Sequence, residues 1–597
     1  MKINDYAFLS DCQSAALVSR GGSIDWFCVP RFDSPTIFGR LLDADAGHWL
    51  VCPRGKFSSR RQYIEGTLVL RNVYTTGSGV VEVVDALALA PTAHGHHIGK
   101  DAPHILLRSV RGLSGRVEME MDFKPRFEYG LTHPHFRRVG GGMVIVGGPT
   151  ELALTTPLEI DIEGSDAKAR FSVAAGEAVG FSLAFRAGFR EEQVPAQDVE
   201  EALEQTIQAW QSWAGAHETY QGLYAGEVNL SALVLRGLTF QPSGSLVAAA
   251  TTSLPEVLGG SANWDYRFTW LRDASLTMRA LWVASCPDEP QRFFDWISRA
   301  GGRVGREAVQ IMYGVEGERD LTEHRLDHLA GFAGSRPVRV GNDAWKQKQL
   351  DVLGEVLNAA YIMRDHLGEL DHWVREMLIV FADRAASGWK EPDAGIWEAR
   401  DRERHYTFSK VMCWVALDRA VKMAGALKAG KRKVERWSQA RGQIRRAILK
   451  QAWNNDVGAY TGAFGSDHLD AALLLMPLVD FLPAGDGRML ATIDAIDERL
   501  GAAAGLIRRW PEEHNGFVIC SYWMAECQAL AGRTGRAREI FEQVTSRAND
   551  LGLLSEMIDG KTGNLLGNFP QAFSHVGLIN AAWRLTQEST GGKKLKG

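Results

Sequence analysis

The stretch DVEEALEQTIQAWQSWAG, residues 198–215, marks the point at which the apolar pattern changes along this 597-residue chain. Before it, apolar residues alternate with polar ones or form short runs. From it onward they recur every three to four residues, which is the period of an amphipathic helix. A chain this long exceeds what one hydrophobic core usually serves. The change therefore predicts a β domain over 1–197, a linker helix over 198–225, a helical domain over 226–590 and a tail over 591–597.

The N-terminal part consists of short segments rich in Val, Leu, Phe and Thr. Examples are GTLVLRNVYTT, GVVEVVDALAL, HILLRSVRGL and RFSVAAGEAVGFSLAF, which are separated by Gly, Pro and Asp. Short apolar or alternating runs between turn residues are typical of antiparallel strands. We therefore expect an antiparallel β-sandwich in this half.

Helical patterns follow one another through the C-terminal part, and we count twelve. They begin near Glu227, Asp273, Asp288, Leu350, Leu370, Phe408, Arg432, His468, Gly487, Val518, Arg533 and Pro570. Even-numbered patterns such as VICSYWMAECQALAG carry few charges, whereas odd-numbered ones such as RKVERWSQARGQIRRAILKQAW are charged on one face. Six helical hairpins closed into a ring, with the apolar helices inside, would bury one apolar stripe per helix. The pattern predicts an (α/α)6 barrel, so we expect a multidomain β + α protein.

Composition limits the classes of partner. The formal net charge is -5 and charged residues make up 23% of the chain, so the basic surplus that favours nucleic-acid binding is missing. The N-terminal segment has no apolar signal region after its lysine, and no run approaches the roughly 18 apolar residues of a membrane span. We expect a cytoplasmic protein with no nucleic-acid and no membrane partner, and a homo-oligomer stays open.

The seven cysteines are scattered, with no CxxC pair and no histidines at metal-ligand spacing. Reduced, mostly buried thiols explain them better than disulfides or zinc. We see no ligand cluster with the spacing of a metal site and no motif of a cofactor site. The sequence therefore predicts neither a metal nor a cofactor.

Polar and aromatic residues collect in the loops that lead from an outer helix into an inner one. These loops read NWDYRFTWLRD, RVGNDAWKQKQ, GIWEARDRERHYT, FGSDH, RRWPEEHNG and LLSEMIDGKTGNLLGNFPQ. All six are expected at one end of the barrel. Aromatic rings can stack on the apolar face of a sugar, while Asp and Arg side chains pair with its hydroxyls. This rim therefore predicts a small-molecule carbohydrate as the substrate.

Two glutamates in these loops are candidates for the paired carboxyl groups that hydrolysis of a glycosidic bond requires. Glu398 follows Ile and Trp, which are apolar neighbours of the kind that suit a general acid. Glu556 emerges from the apolar run LGLLSEMIDG into a rim loop. Taken singly, a glutamate in such a position is more often a rim or helix-capping residue than a catalytic one.

Purely structural roles are alternatives for the neighbouring candidates as well. Asp273 could be the N-cap of the second helix, and Arg272 could form an ion pair of purely structural importance. A tryptophan at helical spacing is as often a core residue as a binding platform. The charged run from Arg400 through Arg404 is interpreted as mostly solvated.

Five segments together resemble glycoside hydrolase family 15. They are SANWDYRFTWLRDASL, SRPVRVGNDAW, KEPDAGIWEAR, SKVMCWVALDRA and LGNFPQAFSHVGLINAAW, and the N-terminal segment resembles the bacterial branch of that family. The resemblance implies a β super-sandwich followed by an (α/α)6 barrel. It also implies hydrolysis of a terminal α-glucoside with inversion at the anomeric carbon, for which the two carboxyl groups stand roughly 6.5 to 9.5 Å apart.

Matched motif by motif, the resemblance implies roles for individual residues. Glu398 falls at the family's position for the general acid, and Glu556 falls at its position for the general base. Arg272 and Asp273 fall at the pair that holds the distal hydroxyls of the non-reducing glucose. The remaining candidates for substrate binding are Arg267, Trp270, Trp345, Lys346 and Trp397, with the tryptophans expected as aromatic walls.

The family includes glucoamylases, glucodextranases and a bacterial branch of trehalases, so the resemblance implies an exo-acting hydrolase. Our first expectation is hydrolysis of α,α-trehalose, and the alternative is release of glucose from α-1,4 or α-1,6 gluco-oligosaccharides. A hypothesis of another class is an inverting disaccharide phosphorylase, in which phosphate replaces the catalytic base. A non-catalytic sugar sensor is disfavoured because both Glu398 and Glu556 are present.

Overall fold

The computed structural model describes residues 2–187, 197–217, 220–284, 289–300 and 310–589. Its N-terminal part is built from fifteen strands. They are β1 Tyr6–Ser10, β2 Ala15–Ser19, β3 Ser23–Cys28, β4 Thr36–Phe38, β5 His48–Pro53, β6 Ser58–Tyr63, β7 Leu70–Thr75, β8 Gly79–Leu87, β9 Ile105–Lys124, β10 His135–Val139, β11 Gly142–Gly147, β12 Thr150–Thr155, β13 Asp161–Glu163, β14 Asp166–Ala174 and β15 Ala178–Ala187.

One long strand, β9, connects two layers of antiparallel sheet. Its first half, residues 105–115, pairs with β8 and β15, and its second half, residues 116–124, pairs with β5 and β14. Every ladder among these fifteen described strands is antiparallel. The apolar residues between the layers, among them Trp49, Phe123 and Phe181, are buried. The expected β-sandwich is confirmed.

The described helices follow in chain order. They are α1 Phe127–Gly130, α2 Val199–His217, α3 Ala225–Gly237, α4 Leu271–Val283, α5 Glu289–Ala300, α6 Asp351–Ile362, α7 His372–Gly388, α8 Thr407–Lys422, α9 Lys431–Gln451, α10 Leu475–Leu478, α11 Gly487–Arg499, α12 Val518–Leu530, α13 Thr534–Thr545 and α14 Ala572–Ser589. Short two-residue strands lie between them: β16 Thr239–Phe240, β17 Ser245–Leu246, β18 Thr269–Trp270, β19 Met312–Tyr313, β20 His324–Arg325, β21 Arg339–Val340, β22 Trp453–Asn454, β23 Ala459–Tyr460, β24 Gly516–Phe517, β25 Met557–Ile558 and β26 Leu565–Leu566.

Helices α3 to α14 form a closed double ring. The inner helices are the even-numbered ones, each packed on the next, and α14 packs back against α4. The odd-numbered helices pack against this ring from outside. Buried positions run along nearly the whole of inner helix α12, whereas outer helix α9 buries only one stripe. The (α/α)6 barrel is confirmed, because the least charged helices bury the most surface.

The eighth helix of the barrel is shorter than its apolar pattern predicts. It consists of a 3-10 turn, Ala471–Leu474, followed by α10, and it begins where the Asp470 side chain accepts a hydrogen bond from the Ala472 amide. This cap satisfies an amide that would otherwise lack a partner at the helix start. The polar residues before it, which the pattern included in the helix, form a rim loop instead.

The sandwich and the barrel are in direct contact. Trp26 Nε1 of the sandwich donates to the Ala250 carbonyl of the barrel at 2.9 Å, and Asn549 Nδ2 of the barrel donates to the Tyr6 carbonyl at 2.8 Å. The segment predicted as a linker helix is α2, which packs on β8, β9 and β15. The domain boundaries at 197/198, 225/226 and 590/591 stay predictions, and the tail 591–597 lies outside the described residues.

Candidate active site

A cavity of about 590 Å³ opens at one end of the barrel. It is lined by Ala248, Glu256, Trp264, Tyr266, Trp270, Arg272, Asp273, Ile396, Trp397, Glu398, Arg400, Arg509, Phe517, Gln571 and Phe573. These residues come from the segments that lead into α4, α8, α12 and α14 and from the first turns of α4 and α14. Four of the six predicted rim loops therefore line the cavity, and the loops before α6 and α10 support it from behind.

Arg272 and Asp273 form the deep end of this cavity. Both lie in the first turn of α4, and the Arg272 guanidinium donates to Asp273 Oδ1 and to the Ile396 carbonyl, at 3.2 and 2.7 Å. Asp273 is not the N-cap of α4, since Trp270 occupies that position. Burial raises the pKa of Asp273 to about 7, although the Arg272 charge opposes the shift. A buried guanidinium beside a carboxyl can bind two adjacent sugar hydroxyls.

Glu398 lies in the wall of the cavity and accepts two hydrogen bonds there. Trp270 Nε1 donates to Glu398 Oε1 at 2.6 Å, and Arg272 Nη2 lies 3.4 Å from the same oxygen. The backbone of Glu398 is left-handed, with φ at 60°, in a turn that begins at Gly395. This strained conformation directs the carboxylate into the cavity. The neighbouring Trp397 is anchored from behind, because its Nε1 donates to Asp470 Oδ1 at 2.8 Å.

Glu556 lies immediately behind the cavity wall, where it is buried. The Tyr266 hydroxyl, which belongs to the wall, donates to Glu556 Oε1 at 2.7 Å. Burial and the nearby Glu556 raise the pKa of Tyr266, so its hydroxyl keeps the proton that it donates. A Cβ at Gly567 would stand 2.4 Å from Glu556 Oε2, so only glycine leaves space for this carboxylate.

Glu256, Tyr266 and Arg509 are cavity residues that were not among the predicted site residues. Arg509 forms ion pairs with Glu256 and with Glu513, the latter at 2.6 Å. Its guanidinium lies over the rings of Trp397, Trp510 and Phe517. Burial and the charge of Glu256 raise the pKa of Glu556, whereas Arg509 and the Tyr266 hydroxyl oppose that shift.

A sequence signal existed for two of these three residues. Tyr266 alternates with Trp264 in the extended segment NWDYRF, and alternate side chains of an extended chain share one face. Arg509 precedes Glu513 by four residues in the loop RRWPEEHNG. Glu256 pairs with a residue 253 positions away, so no local pattern identifies it.

Arg267 was predicted to bind substrate, and the structure corrects this prediction. The side chain is fully buried outside the cavity, pairs with Asp265 at 2.7 Å and donates to the Ser34 carbonyl of the sandwich at 3.0 Å. The reason is the same alternation, since Trp264 and Tyr266 face the cavity and the intervening residues face away. Arg267 therefore joins the two domains.

Two further candidates do not reach the cavity wall. Trp345 lies half-buried in the 3-10 turn Asp343–Lys346. Lys346 is exposed, forms an ion pair with Asp343 at 2.8 Å and lies over the Trp345 ring. Substrate binding by Trp345 and Lys346 has no support in this geometry, because the loop before α6 stands behind the wall.

Arg400 was not among the predicted site residues, although it lines the cavity. The interpretation of the run after Glu398 as mostly solvated agrees with the exposure of residues 400–403, and Arg400 combines an exposed side chain with a place in the cavity wall. Its guanidinium lies 3.8 Å from the centroid of the Trp264 ring. The turn at Glu398 reverses the chain and brings this side chain back over the cavity.

The remaining features of the described residues concern metal ions, membranes and thiols. No group of three or more His, Cys, Asp or Glu side chains within it could hold a metal ion. None of the helices in the described ranges is both long and apolar enough to cross a membrane. Six cysteines are buried free thiols, and Cys286 lies outside the described residues.

An (α/α)6 barrel with carboxylates, arginines and aromatic rings around a cavity at one end is an arrangement typical of a glycoside hydrolase. Residues 228–583 match the model of "Glycosyl hydrolases family 15", and residues 1–211 match a model described as "Trehalase-like, N-terminal". The first match covers more than half of the chain. The chain therefore belongs to glycosyl hydrolase family 15.

Relatives align along nearly the whole chain. A trehalase of Mycolicibacterium smegmatis is 39% identical over 97% of this chain and 90% of its own length. A trehalase of Mycobacterium tuberculosis is 38% identical over 97% and 89%, and one of Thermoplasma volcanium is 31% identical over 98% and 94%. The crystal structure of a bacterial glucoamylase complexed with acarbose shares the fold, with a TM-score of 0.74 at 11% identity over 97% of this chain and 93% of that chain.

Proposed function

We propose that this protein is an inverting α,α-trehalase, which uses one water molecule to convert α,α-trehalose into two molecules of glucose. Three relatives named trehalases support the substrate, because each aligns with both the sandwich and the barrel. Release of glucose from longer gluco-oligosaccharides has weaker support, since the glucoamylase match at 11% identity concerns the fold alone.

One observation carries the proposed chemistry: two glutamates are bound to neighbouring aromatic residues of one cavity. Trp270 Nε1 donates to Glu398, the Tyr266 hydroxyl donates to Glu556, and the two rings are in edge contact with centroids 5.4 Å apart. A glycosidase needs two carboxyl groups that flank the scissile bond. We assign the general acid to Glu398 and the general base to Glu556.

The proposed reaction begins with a terminal glucose at the deep end, where Arg272 and Asp273 bind its distal hydroxyls. Glu398 donates a proton to the glycosidic oxygen as the bond to the anomeric carbon breaks. Glu556 accepts a proton from the water that attacks the opposite face of the ring, and the Tyr266 hydroxyl orients the carboxylate of Glu556. The products are β-glucose from the attacked ring and α-glucose from the leaving ring.

A substrate panel tests this proposal. Purified protein is incubated with trehalose, maltose, isomaltose, maltotetraose and dextran, with and without inorganic phosphate, and glucose and glucose 1-phosphate are measured. We expect trehalose to be preferred, phosphate to be unnecessary and early proton NMR spectra to contain α- and β-glucose in equal amounts. Glucose 1-phosphate formed in step with phosphate consumption would establish a phosphorylase, and α-glucose alone would exclude inversion.

The cellular setting is a separate matter. A carbohydrate substrate fits the family, whereas the cytoplasmic location, the exclusion of nucleic-acid partners and any homo-oligomeric state stay predictions from the sequence. Size-exclusion chromatography with light scattering measures the oligomeric state directly.

A further inference from the structure

Trp264 in the cavity wall is covered by two arginines. The Arg400 guanidinium carbon lies 3.8 Å from the centroid of the Trp264 ring, and that of Arg339 lies 4.3 Å from the same centroid. Two guanidinium groups cannot occupy the same face of one indole at these distances. The indole therefore lies between them, and its Arg400 face is closed to a sugar ring.

Glu323 holds both arginines in place. Glu323 Oε1 accepts from Arg339 Nε at 2.8 Å, while Glu323 Oε2 accepts from both terminal nitrogens of Arg400 at 3.2 Å. Arg400 Nη2 also donates to Asn342 Oδ1 at 3.1 Å. A planar guanidinium that stacks on a ring and is held by several acceptors loses little further freedom. Arg400 is thus a fixed part of the wall.

The exposure of the side chains indicates how near to solvent each one lies. Asp273 is 5% exposed, Arg272 8%, Glu398 19% and Arg400 37%. The order runs from the closed end of the cavity to its mouth. Arg400 is therefore on the mouth side of the proposed acid, which is the side that the leaving sugar must occupy.

We infer that Arg400, stacked on Trp264 and held by Glu323, closes the leaving-group end of the cavity and restricts the substrate to two sugar rings. This inference rests on the proposed function. A third ring would have to displace the guanidinium from Trp264 and deprive Glu323 of a partner. The third ring would therefore have to offset both the stack on Trp264 and the two charge-assisted hydrogen bonds from Arg400 to Glu323 before it gained any contact of its own.

A three-ring probe tests this restriction. Trehalose that carries one additional α-1,4-linked glucose always extends two rings beyond the deep end, whichever terminal glucose enters first. The ratio of kcat/KM for trehalose to that for this trisaccharide is measured, together with the trisaccharide's inhibition constant against trehalose. We expect the wild-type protein to favour trehalose by roughly 100-fold, a discrimination that corresponds to two decades of affinity.

Variants identify the residue responsible. Arg400→Ala should reduce the preference at least tenfold, and Arg400→Lys should act in the same direction, because lysine keeps the charge but loses the planar stack. Glu323→Gln should give a smaller reduction by loosening Arg400. Arg402→Ala is the matched control, since Arg402 is an exposed arginine two residues away that does not line the cavity, and it should leave the ratio unchanged.

The outcomes separate the two proposals. Wild-type protein that does not hydrolyse trehalose would refute the proposed function. Wild-type protein that hydrolyses trehalose but binds the trisaccharide equally well would refute the restriction alone. The restriction alone would also be refuted if trehalose is hydrolysed and both Arg400 variants keep the wild-type ratio of kcat/KM for trehalose to that for the trisaccharide.

Discussion

The two glutamates lie in segments that are held in different ways. The segment around Glu398 is a turn closed by the hydrogen bond from the Glu398 amide to the Gly395 carbonyl at 3.1 Å, and Gln347 Nε2 holds this turn by donating to the Glu398 and Ala399 carbonyls at 3.2 and 3.4 Å. The segment around Glu556 is held to two other segments by backbone hydrogen bonds. The Glu556 amide donates to the Asn568 carbonyl at 3.2 Å, and its own carbonyl accepts from the Val518 amide at 3.1 Å.

This difference shows how glutamate can serve two tasks, donation of a proton at one position and acceptance of a proton at the other. Glu398 projects from a left-handed turn into the cavity, where it can reach the oxygen of a leaving sugar. Glu556 is fixed beside the short sheet β24–β25–β26 and lies behind Tyr266. A donor of protons has to contact the substrate, whereas a base can act on a water molecule held by a neighbouring hydroxyl.

Glutamine substitutions should have the largest effect. Glu398→Gln and Glu556→Gln are each expected to lower kcat on trehalose by roughly 10³-fold, or about 4 kcal/mol of transition-state stabilisation. The two should differ on α-glucosyl fluoride, because fluoride leaves without protonation. Glu398→Gln should then recover most of its activity while Glu556→Gln does not, as measured by fluoride release. Recovery by Glu556→Gln alone would reverse the assigned roles. Recovery by both variants would contradict the assignment altogether.

The turn around Glu398 should be more sensitive to truncation of a neighbouring side chain than the segment around Glu556. Gln347→Ala removes both hydrogen bonds to the Glu398 segment and should lower kcat by roughly 10- to 30-fold, since each bond is worth about 1 kcal/mol. Ser555→Ala is the matched change beside Glu556, where Ser555 Oγ donates only to the Met557 carbonyl. Its effect on kcat should be less than about threefold. Equal losses in steady-state kinetics would mean that the two segments are not held differently.

Tyr266→Phe removes the hydroxyl that stabilises ionised Glu556. A buried carboxylate that loses one hydrogen bond should cost about tenfold in kcat/KM. The acidic limb of the pH profile should also move to higher pH, because this hydrogen bond lowers the pKa of Glu556. Trp270→Phe, which removes the corresponding donor to Glu398, serves as the comparison and should leave the acidic limb in place. If the acidic limb of Tyr266→Phe is not shifted, the titration of Glu556 does not determine that limb.

Glu256→Gln should move the same limb the other way. The base is active when ionised, and its pKa is raised by burial and by Glu256, so the limb should lie above the pH of about 4.3 at which an ordinary glutamate titrates. Removing the charge of Glu256 also frees Arg509 to stabilise Glu556, and both effects lower the pKa. We expect a shift of roughly one unit to lower pH in kcat/KM. The exposed Glu512→Gln is the control, and a shift to higher pH would contradict this electrostatic account.

Much of the fold could be predicted because periodicity reports burial directly. The twelve helical patterns correspond to the twelve helices of the barrel within the described residues, with start positions displaced by a few residues. The eighth helix was predicted too long, since an apolar run alone cannot distinguish a helix from a buried loop. The clustering of Arg272, Asp273, Trp270, Trp397 and Glu398 in one cavity also agrees with the prediction that rim loops converge.

The amino-acid pattern alone was enough to predict the class of structure along the chain: a β-sandwich, an (α/α)6 barrel and a rim rich in carboxylates and aromatic rings. Contacts between distant segments were needed to show that Arg267 joins two domains while Arg272, five positions later, lies in the cavity. The same kind of contact places Arg400 over Trp264 and brings Glu256 and Arg509 together near Glu556. The reason is physical, because local periodicity specifies which face of an element is buried, whereas the partners of a buried charge come from distant segments.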